Sequence, residues 1–231
     1  MNNTAKIGRL SNRVILVTGA GSGLGRAIAK ACAEQGATLI LLGRTVKKLE
    51  LTYDQIVTAG GPEPAIFPMD LAGAQWADYE NLSAAIEKEF GRLDGLVHNA
   101  ALFNSLRPLA EIKPHDWMNS LQTNLNAPFF LTQLCLPLLA KADKPSVVFV
   151  TDAVGPEAQA FWGPYAAAKA GLSSLAGMWT KELKNTGIRV QQFDPGPVKT
   201  QLRELAYPAE PTHIAKAPDE AAKAFVDLLA C

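Results

Sequence analysis

Tyr165 and Lys169 are four residues apart and carry complementary chemistry. On a helix this spacing places both side chains on one face. A free phenol has a pKa of about 10, too high for rapid proton exchange near neutral pH. Because a nearby ammonium group favours the phenolate, Lys169 is expected to lower the pKa of Tyr165. We predict that Tyr165 exchanges a proton with a carbonyl or alcohol oxygen; the alternative is a surface tyrosine above a solvated lysine.

A second candidate site is the glycine-rich turn at residues 18–25, which follows an apolar run and precedes a helical pattern. A helix N-terminus offers unpaired N–H groups and a partial positive charge, and glycines let a pyrophosphate approach the backbone. Leu24 stands where G-x-G-x-x-G would have its third glycine. The pattern is instead T-G-x-x-x-G-x-G, with Gly19, Gly23 and Gly25 in the defining places. In this setting the turn predicts phosphate binding, although alone it indicates only a tight loop.

Six apolar strands that alternate with helical segments must position these groups. The predicted strands are residues 13–17, 37–42, 65–69, 93–97, 146–150 and 188–193. The predicted helices are residues 26–34, 46–59, 78–90, 114–120, a long apolar helix ending near 141, 163–185 and 218–230. This alternation predicts a three-layer α/β fold, a Rossmann-type doubly wound parallel sheet that forms one domain over residues 1–231. Ligands bind such sheets beyond the carboxyl ends of the strands.

Composition argues against several other classes of protein. Hydrophobic residues make up 48% of the chain, and 22 basic residues balance 22 acidic ones. No net charge attracts the chain to nucleic acid or to an anionic membrane. Residues 1–12 lack the apolar segment of a signal peptide, and the most apolar stretch, residues 127–140, is too short to span a bilayer. We therefore expect a cytoplasmic protein with neither nucleic-acid nor membrane partners.

The three cysteines, Cys32, Cys135 and Cys231, are an odd number and lack C-x-x-C spacing. This pattern favours reduced thiols over a disulfide framework or a metal site. We predict no metal.

Several motifs in order resemble the short-chain dehydrogenase/reductase family, over about residues 11–200. They are the turn at 18–25, His98-Asn99-Ala100, Asn124, Tyr165-x-x-x-Lys169 and Pro195-Gly196-Pro197-Val198. The phrases at residues 93–99 and 131–133 are similar to a bacterial subgroup of unassigned substrate. The resemblance implies an enzyme that transfers hydride between a nicotinamide dinucleotide and a small-molecule alcohol or carbonyl.

The resemblance also implies catalytic roles. Tyr165 is the proton donor, Lys169 additionally holds the nicotinamide ribose, and Asn124 supports a water-linked proton path to the lysine. Asn126 is a competitor for that third role, but the motif spacing favours Asn124; the alternative for Asn124 is local hydrogen bonding to backbone. We expect His98 to be a packing residue, since no triad or metal-ligand spacing surrounds it.

Coenzyme-binding positions carry over in the same way. They are Gly19, Ser22, Gly23, Leu24, Gly25, Arg44, Asp70, Leu71, Asn99, Tyr165, Lys169, Pro195, Gly196, Val198 and Thr200. In the last loop, backbone near Val198 holds the nicotinamide amide and Thr200 approaches a phosphate. A plain proline-rich turn is the alternative for that loop.

The end of the second strand bears on the choice of coenzyme. A carboxylate there binds the ribose of NAD, whereas an arginine accommodates the 2′-phosphate of NADP. The chain has Gly43-Arg44 and no acidic residue, with Lys47 close behind. A guanidinium fork suits a phosphate, so we favour NADP(H) over NAD(H); the alternative is a solvated arginine that opens a helix.

Asp152 departs from the family pattern, because the family has a serine at this place, thirteen residues before Tyr165. A serine hydroxyl donates to the substrate oxygen, but an ionised aspartate only accepts, and its charge raises the pKa of Tyr165. A hydrogen bond to the substrate oxygen can still be donated in two ways. Asp152 can stay protonated and donate, or Thr151 can supply the hydroxyl, although strand alternation points Thr151 to the opposite face. The alternative function is a dinucleotide-binding sensor or scaffold with weak or no turnover.

The family usually adds a seventh strand and a glycine-bearing tail, whereas this sequence stops at Ala230-Cys231. We therefore expect six strands. Apolar helices around residues 119–141 and 163–185 favour pairing across a two-fold axis, as a homodimer or homotetramer. Residues 197–217 are the predicted substrate lid.

Overall fold

The computed structural model describes residues 8–230. Residues 1–7 and Cys231 lie outside the described residues. The prediction that Cys231 is a reduced thiol, and part of the prediction that the first residues are not a signal peptide, therefore lie outside them too.

Six parallel strands form one sheet in the order β3-β2-β1-β4-β5-β6. They are β1 Val14–Thr18, β2 Thr38–Gly43, β3 Ala65–Pro68, β4 Gly95–His98, β5 Ser146–Val150 and β6 Arg189–Phe193. Every residue of β1, β4 and β5 is buried, as expected for parallel strands covered by helices on both faces. The strand order reverses between β1 and β4, and such a switch point creates a ligand crevice at the carboxyl ends. The predicted Rossmann-type sheet is confirmed.

Helices cover both faces of the sheet and complete the three layers. They are α1 Gly23–Glu34, α2 Val46–Thr58, α3 Trp76–Phe90, α4 Pro114–Leu121, α5 Ala127–Leu139, α6 Val154–Glu157, α7 Gly163–Glu182, α8 Gln201–Ala206 and α9 Pro218–Ala230. One apolar cluster joins α1, α2 and α9 to the sheet. A second cluster joins α3, α5 and α7 to the opposite face.

Most element boundaries agree with the sequence predictions within a few residues. The first helix is the largest difference at an N-terminus, since it begins at Gly23 rather than at residue 26. Glycine has a low helix propensity, so the sequence pattern understates a first turn made of glycines. A π-helical turn, Gln122–Asn126, joins α4 to α5, and it was not predicted.

Cys32 and Cys135 are free buried thiols, and burial raises the pKa of each to about 12. Such thiols are inert at neutral pH, in agreement with the prediction that they are reduced. Within residues 8–230, no helix is both long enough and apolar enough to cross a membrane.

Candidate active site

A cleft of about 440 Å³ lies at the carboxyl ends of the strands. Every residue predicted to hold the dinucleotide lines this cleft, from the glycine turn after β1 to the loop after β6. Of the predicted catalytic residues, Asp152, Tyr165 and Lys169 line it as well. Asn124 does not, although its neighbour Thr123 does. The structure thus brings together groups that lie up to about 180 residues apart in the chain.

The N-terminus of α1 forms one wall of the cleft. Ser22 makes no side-chain capping bond there, and the first turn of α1 contains no acidic residue. The first N–H groups of the helix therefore have no partner in this cap. Gly19 adopts a φ of 69°, and a Cβ on Gly23 would lie 3.2 Å from Thr200 Cγ2. These residues fit a dinucleotide pyrophosphate, which needs free N–H groups and no side chains in the way.

Thr18 and Asn99 clamp the ends of β1 and β4 together. The backbone N–H groups of Asn99 and Ala100 both donate to Thr18 Oγ1 at 3.0 Å. Asn99 Nδ2 donates to the carbonyl oxygen of Thr18, also at 3.0 Å. Sequence reasoning included Thr18 in the glycine-rich turn but gave it no role of its own; the available signal was a hydroxyl residue at a buried strand end, directly before the glycines.

Tyr165 and Lys169 lie on one face of α7, as predicted, and the alternative of a solvated surface pair is wrong. Tyr165 is 4% exposed and Lys169 is 2% exposed. The Lys169 ammonium lies 5.6 Å from the centroid of the Tyr165 ring. It donates to the carbonyl oxygen of Val150 at 2.7 Å, which ties α7 to the end of β5.

The Tyr165 hydroxyl donates to Asp152 Oδ2 at 2.9 Å. Burial raises the pKa of Tyr165 well above its usual value, and the charge and hydrogen bond of Asp152 raise it further. The prediction that Lys169 lowers the pKa of Tyr165 is therefore wrong, whereas the prediction that Asp152 raises it is confirmed. Burial also lowers the pKa of Lys169 to about 8, against the opposing charges of Asp152 and Asp194. At neutral pH the phenol keeps its proton and Lys169 keeps its charge.

Two carboxylates border this pair. Asp152 Oδ1 accepts from the backbone N–H of Val154 at 3.0 Å, so the start of α6 holds the carboxylate beside Tyr165. Asp194 accepts from the backbone N–H groups of Ala153 at 2.8 Å and of Gly196 at 2.7 Å. Sequence reasoning gave Asp194 no role in the site. Its signal was an acidic residue at a strand end just before the Pro-Gly-Pro loop.

Asn124 lies in the π-helical turn between α4 and α5 and is buried. Its Nδ2 donates to the carbonyl oxygen of Leu102 at 2.8 Å and to Ser120 Oγ at 3.0 Å. Its Oδ1 accepts from the N–H of Leu102 at 2.8 Å. The Asn124 side chain therefore bonds to backbone, as its alternative role predicts, but the backbone partner is Leu102 in the loop after β4 rather than a residue of the same helix.

His98 packs in the core. Its Nε2 lies 2.8 Å from Thr132 Oγ1, and its ring stacks on Phe149 with centroids 4.7 Å apart. Burial lowers the pKa of His98 to about 3, with a smaller contribution from Lys169, so the imidazole is neutral. The prediction of a packing residue rather than a catalytic base agrees with this environment.

At the other end of the cleft, Arg44, Thr45 and Lys48 line the wall after β2. Lys47, which we placed near Arg44 from the sequence, does not line it. Successive side chains on an α-helix point about 100° apart. Leu49 is buried against the sheet, so Lys48 beside it reaches the cleft, whereas the side chain of Lys47 is turned a further 100° away.

The predicted lid, residues 197–217, is closed at its base. Val198 pairs with Lys216, whose N–H donates to the carbonyl oxygen of Pro197 at 3.1 Å. Inside the loop, Arg203 forms an ion pair with Glu210, at 2.9 Å between Nε and Oε2, and lies 3.9 Å from the ring centroid of Tyr207. Leu202, Arg203 and Leu205 of this loop line the cleft.

A sheet of this order, with a glycine-rich helix N-terminus at its switch point and a buried Tyr–Lys pair beside it, is typical of dinucleotide-dependent oxidoreductases. The sequence model of the family described as short chain dehydrogenase matches residues 13–211. The chain belongs to the short-chain dehydrogenase family, and it is an NAD(P)-dependent enzyme of that family.

Relatives support this assignment at the level of sequence and structure. The uncharacterized oxidoreductase YciK of Escherichia coli is 39% identical over 90% of this chain and 82% of its own length. A short chain dehydrogenase from Shigella flexneri, solved in complex with NADP, is 37% identical with a TM-score of 0.93, covering 97% of this chain and 93% of its own. One from E. coli CFT073, complexed with NADPH, is 38% identical with a TM-score of 0.92 over the same shares.

Proposed function

We propose that the protein is an NADP(H)-dependent oxidoreductase that interconverts a carbonyl and an alcohol on a small molecule, with Tyr165 as general acid and base. The observation that carries this proposal is the buried, protonated Tyr165 hydroxyl, beside Lys169 in a cleft that also contains the glycine turn and the N-terminus of α1. When bound, the coenzyme supplies or accepts the hydride.

In the direction of reduction, Tyr165 donates its proton to the carbonyl oxygen as the adjacent carbon accepts hydride. The ammonium of Lys169 offsets the negative charge that then develops on the phenol and the oxygen. Asp152 acts against this step, because its Oδ2 accepts a hydrogen bond from the same hydroxyl, with 2.9 Å between the two oxygens. Leu202 of the proposed lid packs against the apolar cluster that contains Tyr165, so it covers part of the reacting end of the cleft.

The test is oxidation of NADPH by a panel of ketones, aldehydes and quinones, followed by absorbance against a no-substrate blank. Turnover that requires Tyr165 supports the proposal. Tight coenzyme binding without turnover across the panel would instead favour a sensor or scaffold, the alternative that Asp152 raises.

Three features of the wall after β2 support NADP(H) as the coenzyme. Arg44 offers a bidentate donor set, Lys48 adds a second positive charge, and Thr45 adds a hydroxyl group. No acidic residue stands at the end of β2 to bind a free ribose hydroxyl. The relatives from S. flexneri and E. coli CFT073 contain NADP and NADPH.

Arg44→Ala is expected to lower kcat/KM for NADPH by about 10–100-fold, because it removes charge-assisted hydrogen bonds of about 1.5–3 kcal/mol to the 2′-phosphate. The value for NADH, which lacks that phosphate, should change less than about 3-fold. Steady-state kinetics with both coenzymes measure the ratio. Lys47→Ala removes a neighbouring charge that does not line the cleft and serves as the matched control. An equal loss with NADPH and NADH would contradict the assignment of Arg44.

The rate of carbonyl reduction is expected to fall as the pH rises through about 8, the lowered pKa of Lys169. The charged form is present below that pH and is lost above it, while the raised pKa of Tyr165 keeps the phenol protonated throughout. A pH–rate profile at saturating coenzyme measures this limb. Lys169→Arg keeps its charge at all these pH values, so in that variant the limb should disappear even if the rate is low. A limb that persists in Lys169→Arg would assign it to another group.

A further inference from the structure

We propose that the reacting end of the cleft accepts a cationic substrate, a cyclic iminium ion whose C=N⁺ group lies against Asp152, in preference to a neutral carbonyl of the same shape. This inference rests on the proposed function, because it uses the same hydride-transfer site. It changes the class of group that is reduced there and assigns Asp152 as its counter-ion.

The charges at this end of the cleft favour a cation. Asp152 and Asp194 are both close enough to influence Lys169, which supplies one positive charge against two carboxylates. The nearby Arg203 does not restore the balance, since it is already paired with Glu210. Two negative charges against one positive charge leave the site with a net charge of −1. A neutral ketone leaves that charge uncompensated, whereas an iminium ion neutralises it.

The position of Asp152 favours a cation at the reacting atom itself. Asp152 Oδ2 lies 2.9 Å from the Tyr165 hydroxyl, which in carbonyl reduction must approach the substrate oxygen. Its other oxygen is occupied by the N–H of Val154. An ionised carboxylate only accepts hydrogen bonds, so its lone pairs face those of a carbonyl oxygen and repel them. The positive nitrogen of an iminium group is attracted to the same place.

The apolar wall of the cleft also suits a cation, because it is aromatic. Phe103 and Trp162 line it, with ring centroids 5.0 Å apart. Their centroids lie 5.6 Å from that of Tyr165 in each case. Aromatic faces attract cations, and the attraction grows when the site excludes water. A carboxylate beside Tyr165, whose ring packs against two further aromatic rings, is a suitable environment for an organic cation of low hydration.

The reaction balances without a proton from Tyr165. The iminium carbon accepts a hydride with its electron pair, a new C–H bond forms, and the two π electrons of C=N⁺ become the lone pair on nitrogen. The substrate is reduced to a neutral amine, and the reduced nicotinamide dinucleotide that gave the hydride is oxidised. The amine then takes a proton from solvent.

The first test compares N-methyl-dihydroisoquinolinium, a permanent cation, with tetralone, a neutral ketone of similar shape, as substrates of the full chain with NADPH. We expect kcat/KM for the cation to exceed that for the ketone by at least about 10-fold, after subtraction of the uncatalysed rate. Asp152→Ser should reverse the preference: reduction of the cation falls by about 10–100-fold, while reduction of tetralone rises, since a donor replaces a competing acceptor. Glu80→Gln removes an exposed carboxylate of α3 that does not line the cleft, and should leave both rates within about 2-fold.

Binding provides a readout that needs no turnover. Calorimetry with dimethyl-tetrahydroisoquinolinium, an unreactive permanent cation, should give a dissociation constant that rises about 10–50-fold in Asp152→Asn. Thermal unfolding of each variant checks that it is folded. If a variant does not fold, Phe103→Leu and Trp162→Leu test the aromatic wall, with expected losses of cation affinity of about 3–10-fold.

The outcomes separate this inference from the function on which it rests. Reduction of tetralone but not of the cation by the wild type would overturn the inference and leave the proposed function standing. Equal cation affinity in wild type and Asp152→Asn would overturn it as well. So would an Asp152→Asn substitution that changes affinity for the oxidised dinucleotide but not for the cation. If neither substrate is reduced and the carbonyl panel also shows no turnover, the proposed function fails, and the cation affinity of Asp152→Asn then decides by itself whether the cation site exists.

Discussion

Tyr165→Phe is expected to lower the rate of carbonyl reduction about 10³-fold while coenzyme affinity changes less than about 3-fold. The variant removes the one atom that carries the transferable proton and keeps the ring, which packs in an apolar cluster with Phe103, Trp162 and Ala206. Because burial and Asp152 raise the pKa of Tyr165, the wild-type phenol carries this proton at neutral pH, and the substitution removes a proton donor that is present. Single-turnover rates with a ketone from the panel and calorimetry with NADPH measure the two quantities.

Tyr79→Phe is the matched control for this experiment. Tyr79 is equally buried, at 1% exposed, but it lies in α3 outside the cleft, and its hydroxyl accepts from Gln122 Nε2 at 3.3 Å. The control should cost about 1 kcal/mol of stability or less and leave the rate within about 2-fold. Full activity in Tyr165→Phe would remove Tyr165 from its role as proton donor for ketones. Iminium reduction, which takes no proton from Tyr165, should survive the same change far better.

The strands and long helices were predictable because each follows from local periodicity and burial. β5 has the predicted bounds, since Lys144-Pro145 precedes it and Thr151-Asp152 follows it, and α9 begins at Pro218 as predicted. Short elements were not predictable in this way. The π-helical turn at Gln122–Asn126 and the short helices α6 and α8 contain too few residues to show a period, and packing and capping interactions decide their conformation.

The site was predictable as a set of positions but not as an electrostatic environment. The strand-end rule located Asp152, Tyr165 and Lys169 correctly at one end of the cleft. The pKa of Tyr165 was not accessible from the Tyr–Lys spacing, because burial of the phenol outweighs one nearby ammonium and depends on packing from distant segments. Asp194 was missed for the same reason: its influence on this pair arises only when β5 and β6 lie side by side.

Gly25→Ala is expected to destabilise the protein by about 3 kcal/mol and to lower Tm by about 6–12 °C. A Cβ at this position would lie 2.2 Å from the carbonyl oxygen of Gly19 and 2.4 Å from Asn99 Nδ2. The first contact is with backbone, so no rotamer change relieves it, and α1 must move away from β1. That movement also separates the helix N-terminus from the phosphate position, so affinity for NADPH should fall at least about 10-fold.

Gly177→Ala makes the same substitution in another helix, α7, and isolates the effect of the close contact. A Cβ at Gly177 would meet only Gln192 Nε2, at 4.0 Å. With space available, alanine should stabilise the helix by about 0.5–1 kcal/mol through its higher propensity, raising Tm by about 1–4 °C with coenzyme affinity unchanged. Thermal unfolding and calorimetry on both variants give the comparison. The two substitutions are expected to change Tm in opposite directions, because helix propensity favours alanine at both positions and only Gly25 lies against the backbone of the glycine turn. A stabilised Gly25→Ala variant with full NADPH affinity would mean that this turn does not hold the coenzyme as proposed.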